Sequence, residues 1–145
     1  MKPSLELLNR QRKKRVDLVN FRAFAEPAMV KVTELLGPVT LPEEISVVFV
    51  SDARIADIHR AFMSVDEPTD VITFHHGEIV ISVETAERQA KKFSTSFGHE
   101  LRLYFVHALL HLAGYDDLTP EEFEKMAEAQ QKIVDEVEQL LGSDQ

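Results

Sequence analysis

The chain contains no cysteine. Disulfides and thiolate zinc sites are therefore excluded, and any metal must be held by histidine and carboxylate. No run of 18 apolar residues occurs, the length that would begin to suggest a membrane span. The opening Met-Lys-Pro-Ser-Leu-Glu lacks the long apolar core of a signal peptide, so a cytoplasmic location with no membrane partner is expected. There is no internal repeat and no low-complexity tract. What remains is 145 residues, 44% apolar and 28% charged, the composition of one ordinary globular domain spanning residues 1–145.

Net charge is −9, which at first sight opposes a nucleic-acid partner. The charge is uneven. Residues 1–40 hold eight Lys/Arg against four Asp/Glu, a net of +4, whereas residues 119–145 hold two against eight, a net of −6. The cluster Arg10, Arg12, Lys13, Lys14 and Arg15 is the one place a phosphate backbone could dock, and it reads equally well as a solvated loop.

Hydrophobic periodicity gives the elements. Leu5–Leu8, Ile45–Val50, Val71–Phe74 and Glu78–Val83 read as short strands. Asp17 caps a helix running to Gly37-Pro38, which Pro27 should kink or split. Ser51-Asp52 starts a short helix carrying Ile55, Ile58 and Phe62, and 63–70 is a loop. Helices follow over 84–93 and 97–113, the second apolar nearly all round and so central and buried. Thr119-Pro120-Glu121-Glu122 is a helix start, and the last helix runs to about Leu141. Four strands and about five helices predict an α+β fold with one helix-covered sheet. The short 75–77 link predicts an antiparallel pair; strand order is not readable.

The chemistry lies in His107-Ala-Leu-Leu-His111-Leu-Ala-Gly114-Tyr115-Asp116-Asp117. Histidines four apart on a helix share a face and can chelate one ion. Two histidines at this spacing can also be hydrogen-bonded core residues. Here the helix is otherwise strongly apolar, a glycine lets the chain reverse, and carboxylates follow at once. His107, His111 and Asp117 are the expected ligands, with Asp116 orienting a ligated histidine through its second nitrogen. Such a set takes Zn2+ and also suits manganese, nickel or ferrous iron. Hydrolysis of an ester, amide or phosphodiester is the natural reaction. The peptidase pattern needs a glutamate where this chain has Ala108.

The same residues resemble the metal motif H-x-x-x-H-x-x-G-x-D-H of the YbeY family, bacterial rRNA-maturation endoribonucleases. Asp66-Glu-Pro-Thr69-Asp70-Val71-Ile-Thr73-Phe74 resembles that family's D-x-P-T-D-V-L-S-F, and Gly77-Glu78-Ile79-Val80-Ile81-Ser82 its G-D-I-x-I-S. The matches span about residues 45–135. The resemblance implies a four-stranded mixed sheet with about five helices. It implies a zinc or similar ion on three histidines, and single-stranded RNA as substrate. It further implies a role in 16S rRNA 3′-end maturation and ribosome quality control, with the small ribosomal subunit and its proteins as partners.

Two departures fall where chemistry would sit. The third histidine is Asp117, which reaches less far and carries negative charge. The family's substrate-contacting arginine is Met63, and Arg60, one helical turn earlier, is the candidate replacement catalytic cation. A smaller departure is His75, in place of proline. His75 and His76 read as a solvated turn, with metal ligation or RNA stacking as the alternatives. Thr69 and Asp70 are expected to fix their loop. Phe74 and Tyr115 are core residues or base-stacking ones. His99, about two turns before His107, is too far along the axis to share the ion and takes a surface or helix-start role. Rival functions are a catalytically weakened relative that binds assembling ribosomes, and a metallo-hydrolase of a non-RNA substrate.

Overall fold

A computed structural model describes residues 3–37, 41–65, 67 and 69–142, except the side chain at 36. Pro38, Asp66 and Pro68, on which parts of the sequence reading rest, lie outside the described residues. The order is β1 (Ser4–Asn9), α1 (Leu18–Leu36), β2 (Glu44–Val50), α2 (Asp52–Met63), β3 (Val71–Thr73), β4 (Glu78–Ser82), α3 (Val83–Phe93), α4 (Phe97–Leu112) and α5 (Pro120–Gly142). The strands form one sheet in the order β1-β2-β4-β3. β1 and β4 both run parallel to β2, and β3 pairs antiparallel with β4. The α+β architecture and the antiparallel pair are as the sequence predicts.

Residue alternation assigns the two faces of the sheet. Ile45, Val47, Phe49, Ile79 and Ile81 face the main core with residues of α1, α3, α4 and α5. Val48, Val50, Val80 and Ile72 face the other way, onto Ile55 and Ile58 of α2. β2 is apolar on both faces because it lies inside the sheet and is covered twice, as parallel strands usually are.

Asp17 caps α1, its carboxylate accepting from the Asn20 N–H at 3.0 Å. Phe21, Phe24, Ala25, Ala28, Met29 and Val32 form its buried face. The helix runs unbroken through Pro27, contrary to a split there. Proline removes the N–H that would meet the Ala23 carbonyl, but Ala23 is exposed and water can satisfy it. Burial of the opposite face holds the rod together.

Two junctions position the site. Asp52, at the start of α2, accepts hydrogen bonds from Ser82 Oγ (2.6 Å), Thr85 Oγ1 (2.7 Å) and Arg88. Burial works to raise this carboxyl. The bonds from Arg88, Ser82 and Thr85 outweigh it and hold Asp52 below the usual carboxylate range. α2 is thereby clamped to the β4–α3 junction. In the β3–β4 turn, Gly77 has φ 113°, and a Cβ there would sit 2.3 Å from the Glu44 carbonyl oxygen. Only glycine lets this turn lie against β2.

Candidate metal centre

α4 is the central helix: Leu101, Tyr104, Phe105, Val106, Ala108, Leu109 and Leu110 are all buried. Its last turn ends as the sequence predicts. Gly114 takes φ 103°, the Gly114 N–H donates to His111 O at 3.0 Å and the Tyr115 N–H to Leu110 O at 2.9 Å. This is a Schellman stop, and it turns the chain back past the helix end. α5 then begins with a reciprocal cap. The Thr119 N–H donates to Glu122 Oε1 and the Glu122 N–H to Thr119 Oγ1, both at 3.1 Å.

The reversal carries Asp117 to the histidines. Its Oδ2 lies 3.7 Å from His107 Nε2 and 3.8 Å from His111 Nε2. The candidate ligand atoms of all three residues fall within 4.8 Å of one another, and the imidazoles stand 4.7 Å apart at 81°. Ligands ~2.1 Å from a tetrahedral zinc ion are about 3.4 Å apart. The two carboxylate–imidazole separations are close to that value, and the imidazole pair, within 4.8 Å, would draw together on a bound ion.

The tautomers fit as well. His111 Nδ1 meets the Tyr115 carbonyl at 3.1 Å. A carbonyl only accepts, so Nδ1 carries the proton and Nε2 presents a lone pair. His107 Nδ1 meets Gln130 Oε1 at 3.0 Å, and with the amide in this orientation its oxygen accepts and Nε2 is likewise left bare. Two lone pairs and a carboxylate therefore converge on one point from side chains about 30% exposed. The orienting groups are the Tyr115 carbonyl and Gln130, where the sequence suggested Asp116. Asp116 lines the adjoining cleft.

That cleft, about 360 Å³, lies between α4 and β3 and is also walled by Met63, Asp70, Thr73 and His75. Asp70 fixes its own loop, accepting from the Val71 N–H at 2.7 Å and the Thr69 hydroxyl at 3.4 Å. One turn before His107, burial pushes the Tyr104 phenol far above its usual range, and the charges of Asp70 and Glu100 push it the same way. Tyr104 is thus a neutral hydroxyl, not a base. His99 does serve at a helix start, its N–H donating to Ser96 Oγ and its ring meeting Glu138.

Met63 stands on the cleft wall. Arg60 lies on an exposed face of α2, its guanidinium 2.6 Å from Asp57 Oδ1. The basic cluster follows β1, at the opposite edge of the sheet from β3. Three strand spacings, roughly 14 Å, separate the two edges. Arg10, Arg12, Lys13 and Arg15 are exposed, whereas Lys14 pairs with Glu87 at 3.0 Å and lies over the Phe97 ring. Gln11 holds this loop in shape by accepting from the Lys13 and Lys14 N–H groups.

Gln130 is what sequence reasoning missed. It lies on α5 beside the buried Met126, Ala129, Ile133 and Val134, and a polar residue inside such a stripe was the available signal.

The fold and site define a small α+β protein with a three-residue, histidine-carboxylate candidate metal centre at the end of its central helix. A family model described as Endoribonuclease YbeY matches residues 6–138. Among curated relatives, "Endoribonuclease YbeY" of Exiguobacterium is 34% identical, aligned over 70% of this chain and 77% of its own length. The protein of the same name from Mycolicibacterium smegmatis is 34% identical over 77% and 75%. The solution structure of TM1509 from Thermotoga maritima superposes with a TM-score of 0.68 at 26% identity, covering 97% of this chain and 93% of that one. The chain belongs to the YbeY endoribonuclease family.

Proposed function

We propose that this chain is a metal-dependent endoribonuclease that cuts single-stranded RNA, acting in 16S rRNA 3′-end maturation and ribosome quality control in the cytoplasm. The observation that carries the reading is the convergence of His107 Nε2, His111 Nε2 and Asp117 Oδ2, with the Nδ1 of each imidazole against an oxygen acceptor. These residues would hold one divalent ion, zinc first among candidates. Such an ion supplies an acidified water or polarises a phosphate oxygen.

The chain's own residues do the rest. Gln130 and the Tyr115 carbonyl keep both imidazoles aimed. Asp117 adds negative charge to the set, which lowers the Lewis acidity relative to three neutral histidines. Arg60 is the candidate cation for a substrate phosphate. The exposed arginines and Lys13 of the β1–α1 loop would follow the RNA backbone further along. The small ribosomal subunit and its proteins are the proposed partners. One observation favours a second reading, a weakened relative that binds assembling ribosomes: the uncharged Met63 lines the cleft where the family resemblance places arginine.

The test is metal content of untagged protein purified without chelator, wild type beside His111→Ala. Close to one ion per chain, lost in the variant, is expected, followed by cleavage of single-stranded RNA. No bound metal in either protein would refute the nuclease reading and leave the binding one.

A further inference from the structure

Three rings stand together beside the β3 edge, next in sequence to cleft-lining residues but outside the cleft lining themselves, and take no part in the metal centre. Phe62 and Phe74 meet edge to face at 5.3 Å and 79°. Phe74 and His76 stack at 5.8 Å and 23°. Phe74 is anchored, half-buried against the second core that contains Ile72 and Val80. Phe62, by contrast, is 70% exposed.

The chain ties these rings to the cleft. Phe62 precedes Met63, and Phe74 sits between Thr73 and His75; all three of those neighbours line the cleft. Side chains alternate along a strand, so Phe74 points to the other side of β3 from Thr73 and His75. β3 is a three-residue edge strand. A strand of substrate leaving the cleft over that edge arrives at the rings.

We propose that Phe62, Phe74 and His76 form a stacking platform for one unpaired base of the RNA whose phosphate occupies the cleft. This rests on the RNA reading above. Size argues for a base over a protein partner. A specific protein interface needs about 800 Å² on each side. Three partly covered rings offer well below that, whereas one base needs a single flat ring face. Every base has such a face, so the platform is tolerant of sequence. In a duplex both faces of a base are already stacked, so the platform favours single strands.

The chain has no tryptophan, so Phe62→Trp installs a lone reporter at an exposed position. Saturable quenching of its fluorescence is expected with a short single-stranded adenylate oligomer, and not with an RNA duplex of equal length. In parallel, Phe62→Leu should raise KM for cleavage of single-stranded RNA about tenfold while kcat changes less than about twofold. An unchanged melting temperature would show that both variants fold. If wild type cleaves RNA but the tryptophan is not quenched, or KM in Phe62→Leu is unchanged, the platform is wrong and the RNA reading stands. If wild type neither binds nor cleaves RNA, the RNA reading fails and the platform falls with it.

Discussion

Gln130→Ala removes the hydrogen-bond partner of His107 and nothing else of the candidate metal centre. The bond is 3.0 Å long and joins two half-buried side chains on different helices. Without it the His107 ring can rotate and can move its proton to Nε2, the atom that must stay bare. Loss of an orienting partner typically weakens metal binding 10- to 100-fold. That corresponds to about 1.4–2.7 kcal/mol. Fold stability should barely change, because alanine is the better helix former at a partly exposed position. Gln130→Glu keeps an acceptor and should bind at least as tightly as wild type. The assay is competition for zinc against a chromophoric chelator near neutral pH, with His107→Ala as the reference for a destroyed site. An alanine variant within twofold of wild type, beside a His107→Ala variant that does not bind, would refute the idea that Gln130 orients the ligand.

Three further outcomes follow from the geometry. Asp117→Asn keeps the shape but removes the candidate anionic ligand, and should lower zinc affinity by about 100-fold or more in the same assay. Asp52→Asn should cost about 1–3 kcal/mol near pH 7 in urea unfolding, through the lost charged hydrogen bonds to Ser82, Thr85 and Arg88. Because the folded pKa of Asp52 is lowered, its contribution is complete above the unfolded value near ~4 and fades as pH falls through the folded value. The gap between variant and wild type should therefore narrow in acid. Gly77→Ala combines a φ of 113° with a Cβ 2.3 Å from the Glu44 carbonyl, and should destabilise by about 2 kcal/mol or more, read as a lower melting temperature.

The parts of the fold visible in the sequence are those written locally. Asp17, Ser51 and Thr119 announce helix starts because a cap needs only its own first turn. Gly114 announces a stop for the same reason. His107, His111 and Asp117 were legible because all lie in one short stretch. The strand order was not, since inserting β4 between β2 and β3 is decided by packing across many residues. Gln130 was missed because its partner lies 23 residues earlier on another helix. The continuity of α1 through Pro27 depends on burial that no local rule records. The separation of the basic loop from the cleft follows from the sheet order, and so was equally hidden.

The turn at Gly114 has a consequence for how the protein would respond to a chelator. The three candidate ligands span only 107–117, so an ion held there closes a very short circuit of chain and costs little closure entropy. Within that circuit Ala108, Leu109 and Leu110 are held in the main core by apolar packing, which does not depend on the ion. Metal removal should therefore act as a local loosening. Amide hydrogen exchange would quicken over 113–119 and the first turn of α5, while β2, β4 and the middle of α4 stay protected. Ion availability would then set the order of one connection and leave the domain folded, so unloaded protein could persist as a folded reserve that regains its centre on contact with metal.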